Sequence, residues 1–208
     1  AADELEKAED FDTAVHDMIK KLLRDHKRII FNGNGYSDAW VEEAERRGLP
    51  NIRSMVEAIP ALTTEKAEKL YESFGVFTKA ELESRAEVEY EAYGKMINIE
   101  ARTMIDMASK QIIPAVIKYT TQLAGSLGAV KAACPEADTS VQAELLTETS
   151  ALLSDMKVAL AALNDITEEA AGVHGAETQA HVYHEKVVPA MAALRTPADK
   201  LEMIVDKD

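Results

Sequence analysis

The sequence predicts a mainly α fold in which three long antiparallel helices form a coiled-coil-like bundle. A smaller helical N-terminal part carries a short extended segment. Aromatic residues make up only 5% of the 208 residues, whereas Ala, Glu, Lys and Leu are abundant. Helix breakers are rare after residue 78, and apolar residues recur there at alternating spacings of three and four. Together these observations favour long helices that pack side by side.

The N-terminal part, residues 1–75, is predicted to hold short helices and to pack on the bundle. Its predicted helices cover residues 3–26, 38–47 and 65–74, with one short helical turn within 49–61. Gly48 and Gly75 are suited to end the second and third of these, since glycine favours the position just after a helix. Thr63 or Thr64 can cap the helix over 65–74.

A glycine-rich turn, NGNG at residues 32–35, follows the short apolar segment Ile29–Phe31 and precedes a helix, which is how phosphate-binding loops are arranged. A Walker A loop requires a lysine and a Ser or Thr directly after its last glycine, but Tyr36 and Ser37 occupy those places. Asp38 puts a negative charge where a phosphate would bind. The interpretation favoured here is a structural turn that uses positive φ angles, with Ser37 or Asp38 capping the next helix.

Residues 76–208 are predicted to form the long-helix bundle. The predicted long helices cover residues 78–123, 139–171 and 177–204. The first begins with the capping box Thr78–Glu81, in which each residue can hydrogen-bond the other's backbone. Gly125, Gly128 and Pro135 are expected to form the turn after it. Pro114 and Pro189 each follow two β-branched residues, which predicts matched bends in the first and third helices.

Composition excludes several function classes. The net charge of −14 disfavours binding to nucleic acid or to an anionic membrane surface. No apolar run approaches the roughly 20 residues of a membrane helix. A single cysteine, Cys134, is consistent with a reducing, cytoplasmic location, and its acidic neighbours Glu136 and Asp138 argue against a nucleophilic role.

The histidines offer the only metal candidates, and they are weak ones. On a helix, Glu177 and His181 share a face, as do His181 and His184. A ferritin-like site needs further ligands from a second helix, and no such motif is present. We therefore assign no metal, catalytic or cofactor-binding residue. Tyr90 and Tyr93 are interpreted as part of a buried seam, with a ligand pocket as the alternative.

Long strings, rather than single motifs, carry a family resemblance. HKRIIFNGNGYSDAWVEEAERRGL (26–49), GVFTKAELESRAEVEYEAYGKMINIEARTMIDMASKQIIPAV (75–116) and VVPAMAALRTPADKLE (187–202) resemble the C-terminal region of type III glutamine synthetases. The resemblance covers essentially the whole chain.

The resemblance implies a helical domain that follows the catalytic β-barrel of an ATP-dependent glutamate–ammonia ligase with Mg or Mn as divalent metal. It implies the parent's own barrel and neighbouring subunits of a homo-oligomer as partners. No catalytic residue of that family matches a position here, so ATP and metal are expected in the parent and not in this segment. The chain is expected to be a domain cut from a longer enzyme, because its ends lack start and stop signals.

Two alternatives stay open. The chain could be a free-standing helical coiled-coil interaction module, or a small helical metal or ligand binder that uses His181 and His184.

Overall fold

The computed structural model describes residues 2–206. They divide into two compact units, which meet between Arg53 and Ser54 in the sequence. This division precedes the predicted boundary between residues 75 and 76, because the segment from Ser54 to Ser73 packs on the first long helix. The helices are α1 (Ala2–Leu5), α2 (Phe11–Asp25), α3 (Asp38–Arg46), α4 (Met55–Ala58), α5 (Glu65–Ser73), α6 (Lys79–Met107), α7 (Ile113–Ala133), α8 (Ser140–Ala171), α9 (Ala176–Val182) and α10 (Val188–Glu202).

The first unit begins with two helices where the sequence analysis predicted one over residues 3–26. Asp10 has extended backbone angles, and its carboxylate accepts hydrogen bonds from the backbone of Asp12 and Thr13. It therefore caps α2, so that a new helix starts at Phe11. The apolar periodicity continues across the break between α1 and α2. The sequence pattern therefore gave no sign of the break.

The predicted extended segment of this unit is shorter than expected. A 3₁₀ turn covers Lys27–Ile29, and Ile30 after it has extended backbone angles. Residues 2–206 contain no β-strand.

The second unit starts with α4 and a 3₁₀ segment, Ile59–Thr63, followed by α5. The Thr64 hydroxyl accepts from the backbone N–H of Ala67 at the start of α5, as the sequence predicted. Gly75 follows this helix with a φ of 62°. The predicted capping box is also present, because Thr78 and Glu81 each accept from the other's backbone N–H.

The first long helix extends further than predicted. It continues through Gly125 and Gly128 to Ala133, and the turn begins only at Cys134 and Pro135. The prediction of a turn at the two glycines was therefore wrong. Each glycine weakens a helix by roughly 1 kcal/mol, a cost that packing of α7 on α8 outweighs.

Two π-helical segments interrupt the long helices where bends were predicted. They cover Ala108–Ile112 and Tyr183–Val187, directly before the helices that contain Pro114 and Pro189 near their first residue. Proline lacks an N–H and crowds the carbonyl four residues earlier. A wider turn at this point accommodates it, because the bonds there connect residues five apart.

The main core lies between α6, α7, α8 and α10, and α8 packs against both α7 and α10. Its buried members are Ala101, Ala108, Val116, Met156, Leu160, Leu163, Ala170, Tyr183, Val187, Leu194, Ala198 and Leu201. The prediction of a mainly α fold is confirmed. The antiparallel order and the coiled-coil packing stay predictions. No helix within residues 2–206 is long and apolar enough to cross a membrane.

Candidate functional site

The seam between α6 and α9 collects the polar side chains that the sequence analysis singled out. Tyr90 of α6 is 6% exposed and packs with Val56, Ile59 and Ala180. Its hydroxyl donates to Oε1 of Glu177 at 3.5 Å. Burial, with the nearby Glu177 carboxylate, raises the pKa of Tyr90. The predicted buried seam is thus present at Tyr90, with α4 and the following 3₁₀ segment on one side and α9 on the other.

One helical turn further on, Tyr93 meets His184. The Tyr93 hydroxyl lies 3.1 Å from Nδ1 of His184, and the two rings are edge to face with centroids 6.2 Å apart. The hydroxyl donates when this nitrogen carries no proton. Burial, followed by the charge of Glu100, raises the pKa of Tyr93. Both side chains therefore have a partner inside the protein.

A close contact lies between these two pairs. A Cβ atom added at Gly94 would be 3.4 Å from Cδ2 of Tyr183, an ordinary van der Waals distance, so α6 and the π segment pack closely at this point. Tyr183 is 2% exposed, and burial raises its pKa. A glycine inside a long helix is the sequence signal for this approach.

The three weak metal candidates do not converge. Glu177 binds Tyr90, His184 binds Tyr93, and His181 has its Nδ1 3.3 Å from Oε1 of Glu185. Across the part of the chain that the structure describes, no group of three or more His, Cys, Asp or Glu side chains is placed to hold a metal ion. The arrangement suits hydrogen bonds that fix α9 against α6 better than it suits metal coordination.

A cleft of about 580 Å³ opens beside Tyr90. Its charged lining is mostly acidic, with Lys79 bound to Glu68 at 3.2 Å and lying 3.8 Å from Glu83. The hydrogen bond to Glu68 is the main cause that raises the pKa of Lys79. The full lining is Ile59, Pro60, Thr63, Glu68, Lys79, Glu83, Ala86, Glu87, Tyr90, Gly175, Ala176, Glu177 and Thr178.

Gln179, which the sequence analysis missed, fixes the end of α8. Its side-chain nitrogen donates to the carbonyl oxygens of Ala170 and Val173, at 3.1 Å each, and to that of Ala171 at 3.4 Å. These carbonyls lie at or just after the C-terminus of the helix, where no regular partner is available. The loop after α8 is therefore tied to α9.

An aromatic stack lies beside the NGNG turn. Phe31 stacks on Trp40 with ring centroids 4.2 Å apart, and a Cβ atom at Gly33 would be 2.6 Å from Cζ of Phe31. A side chain at Gly33 would therefore displace the Phe31 ring. Neither Gly33 nor Gly35 has a positive φ, so that part of the prediction was wrong. The Ser37 hydroxyl caps α3 by accepting from the backbone N–H of Trp40, as one of the two predicted caps.

Arg47 holds the segment before this turn. Its guanidinium donates to the carbonyl oxygens of Arg28 and Ile30 and to Oε1 of Glu43, and it lies over the Trp40 ring. Hydrogen bonds from Arg46 and then Arg47 lower the pKa of Glu43 to about 2.

The sequence of the chain is similar to that of known proteins. Residues 14–131 match the family model of the glutamine synthetase C-terminal domain. The chain is 34% identical over 191 residues to a glutamine synthetase of Butyrivibrio fibrisolvens, covering 92% of this chain and 27% of that protein. It is 33% identical over 202 residues to the type-3 glutamine synthetase of Dictyostelium discoideum, covering 93% and 27%.

A third relative is a glutamine synthetase of Bacteroides fragilis, 31% identical over 201 residues, covering 95% of this chain and 28% of that protein. The chain therefore spans about a quarter of the length of the curated relatives it matches.

Proposed function

Because the chain belongs to the family of glutamine synthetase C-terminal domains, we propose that it is a structural and assembly domain of such an enzyme and does not itself catalyse the reaction. The larger protein would join ammonia to glutamate at the expense of ATP. This segment would hold its catalytic part and neighbouring subunits in place.

The observation that carries this proposal is the continuous helical frame of the second unit. The chain stays helical from Lys79 to Ala133, through α6, a π segment and α7. The fully buried Met156 and Leu163 of α8 belong to one core with side chains of α6, α7 and α10. A rigid frame of this kind can transmit position between attached parts, because densely packed helices do not deform continuously.

The outer side of α6 supplies a surface for such contacts. Val88 is 60% exposed, Met96 is 59% exposed and Ile99 is 65% exposed. Their spacings of eight and three residues place them on one side of the helix. Apolar side chains grouped in this way mark surfaces that other protein parts cover.

The proposal assigns ATP and the divalent metal, Mg or Mn, to the remainder of the enzyme. Two observations within residues 2–206 support this assignment: the NGNG turn lacks the lysine of a phosphate loop, and no three His, Cys, Asp or Glu side chains are placed to hold a metal ion. We propose a cytoplasmic location and a homo-oligomeric assembly for the parent.

Deletion of the region equivalent to residues 75–208 from a full-length synthetase tests the proposal. We expect a smaller assembly in sedimentation velocity, because the deleted frame carries the contacts. An unchanged assembly would overturn the proposal.

Point variants sharpen this test without removing the fold. Val88→Glu combined with Ile99→Glu places charge on the outer side of α6 and should weaken assembly. Val158→Glu is the matched control, since Val158 is 69% exposed on another helix. A metal or ligand binder at His181 and His184 is not favoured, because those side chains already bind Glu185 and Tyr93.

A further inference from the structure

A basic cleft lies in the first unit, although the chain as a whole is strongly acidic. The cleft has a volume of about 450 Å³, and Lys27, Arg28, Arg46 and Arg47 contribute to its lining. Among the described residues that line it, Glu43 is the single acidic one. Four cations and one anion give the lining a formal charge of +3, whereas the whole chain carries −14.

Two segments of the first unit form the walls of this cleft. Lys27 and Arg28 belong to the 3₁₀ turn that follows α2. Arg46 is the last residue of α3, and Arg47 caps that helix. The Arg47 guanidinium donates to the carbonyl oxygens of Arg28 and Ile30, at 3.3 and 2.8 Å, and so joins the two walls. All lining residues lie between positions 27 and 47, so the shape of the cleft is set within this unit.

Glu43 does not neutralise the cleft. Its carboxylate accepts hydrogen bonds from Arg46 at 2.6 and 2.7 Å and from Arg47 at 2.5 Å. Hydrogen bonds from Arg46 and then Arg47 lower the pKa of Glu43 to about 2, so it is ionised at neutral pH and already engaged. Among the salt bridges within residues 2–206, none includes Lys27 or Arg28.

Other negative groups near the cleft offset only part of its charge. Asp25, Glu42 and Glu45 are neighbours of the lining residues in the sequence, but none of them lines the cleft. The C-termini of α2 and α3 adjoin the lining residues in the chain, and each carries a partial charge of about −0.5. These helix ends explain why cations suit this place. They leave a charge of about +2, which matches a ligand with two negative charges.

The donors of the cleft suit a phosphate better than a carboxylate. A phosphate ester carries close to two negative charges at neutral pH and has three strong acceptor oxygens. Arg28 offers a fork of N–H donors, Lys27 an ammonium group and Asn32 a side-chain amide. Separate donors of this kind can surround a tetrahedral anion. A planar carboxylate is satisfied by one guanidinium fork, as Glu43 is by Arg46.

The cleft is also larger than a phosphate group alone requires. Its volume of about 450 Å³ lies within the range of pockets that hold small organic molecules, about 300–1,000 Å³. Ile30 adds an apolar side chain to the lining. The cleft can therefore hold the organic part of a ligand beside its charged group.

We propose that this cleft binds a small organic phosphate with two negative charges, held by Lys27 and Arg28 and oriented by Asn32. This binding site goes beyond the assembly function proposed above and does not depend on it.

Isothermal titration calorimetry of the full 208-residue chain with glycerol 3-phosphate tests the site. We expect saturable binding of one molecule per chain. A ligand concentration of about 10 mM would fill roughly nine-tenths of a site with a millimolar dissociation constant. No binding at that concentration would overturn the proposal.

Two double variants locate the site. Lys27→Gln combined with Arg28→Gln should raise the dissociation constant about tenfold or more, because charge-assisted hydrogen bonds are lost. Lys20→Gln combined with Arg24→Gln is the matched control, since it removes the same two residue types from α2 and neither residue lines the cleft. Circular dichroism confirms that each variant is folded. Equal weakening by both pairs would show that the ligand responds to net charge alone, which would also overturn the site.

A second anion separates phosphate from carboxylate. Glutarate, a dicarboxylate of similar charge, should bind at least severalfold more weakly than glycerol 3-phosphate, and equal binding would overturn the assignment to phosphate. An acidic protein surface is the remaining alternative. If no phosphate binds, while Lys27→Gln combined with Arg28→Gln lowers the sedimentation coefficient of the full-length synthetase, the cleft receives such a surface and the proposal fails.

Discussion

The hydroxyl of Tyr93 and Nδ1 of His184 lie 3.1 Å apart, although the two residues are separated by 91 positions in the sequence. The pair connects α6 to the π segment that precedes α10. It is one of the contacts that join the third long helical stretch to the first.

Tyr93→Phe should lower the free energy of unfolding by about 1 kcal/mol, the usual net value of an intramolecular hydrogen bond. Urea denaturation followed by circular dichroism measures this change. Tyr36→Phe is the control, because Tyr36 is fully exposed and makes no side-chain hydrogen bond among the described residues. Equal effects of both variants would show that the Tyr93–His184 bond contributes nothing.

Two glycines should respond in opposite directions to replacement by alanine. Gly125→Ala should stabilise the chain by roughly 0.5–1 kcal/mol, because glycine weakens a helix interior and a Cβ atom there meets nothing within 4 Å. Gly75→Ala should destabilise by about 1 kcal/mol, because Gly75 has a φ of 62°. Thermal unfolding measures the change in midpoint temperature, which should be a rise for Gly125→Ala and a fall for Gly75→Ala. Shifts of both variants in the same direction would contradict the backbone conformations described here.

Acid should loosen the first unit through Glu43. Hydrogen bonds from Arg46 and then Arg47 lower the pKa of Glu43 from its ordinary value of about 4.5 to about 2. Because the pKa of Glu43 is lower in the folded state, the ionised carboxylate stabilises the folded state fully above about pH 4.5. This contribution is lost as the pH falls toward 2.

Trp40, the single tryptophan, lies beneath Arg47 and reports this unit by fluorescence. Wild type should be more resistant to urea than Glu43→Gln at pH 6, and the difference should narrow as the pH falls to 2. A difference that stays constant over this range would exclude the ionised carboxylate as its cause.

Leu163→Ala should remove a large part of the stability of the second unit. Leu163 is fully buried in the main core, and such truncations cost roughly 2–5 kcal/mol. Val158→Ala, on the exposed side of the same helix, should change stability by less than about 0.5 kcal/mol. Chemical denaturation of the two variants side by side measures the difference, and comparable losses would mean that α8 is oriented differently.

Local signals in the sequence predicted local structure well. The capping box of Thr78 and Glu81 and the caps at Ser37 and Thr64 are present, because each depends on residues within three positions. The helix over residues 3–26 was wrong for a related reason. Asp10 competes for the backbone N–H groups of the next turn, and this competition leaves no trace in apolar periodicity.

Contacts that depend on tertiary register were beyond the sequence. The cluster of Glu177, His181 and His184 was recognised, but Glu177 and His184 have partners on α6, 87 and 91 positions away, whereas His181 contacts Glu185 four positions on. Gly94 was visible as an unusual glycine in a long helix, whereas the Tyr183 ring beside it was not. Helix propensity at Gly125 and Gly128 was overridden by packing on α8, which no local count of residues reveals.

The two π segments have a consequence for how related chains are aligned. In each, a backbone N–H bonds the carbonyl five residues earlier: Ile113 bonds Ala108, and Val188 bonds Tyr183. A regular helix would span the same turn with one residue fewer. Loss of a single residue there would turn the π segment into a regular turn and leave the later side chains on the same side of the helix. An insertion or deletion of one residue at either point therefore changes the spacing of the apolar pattern along the sequence. The segments before and after each π segment are best aligned separately.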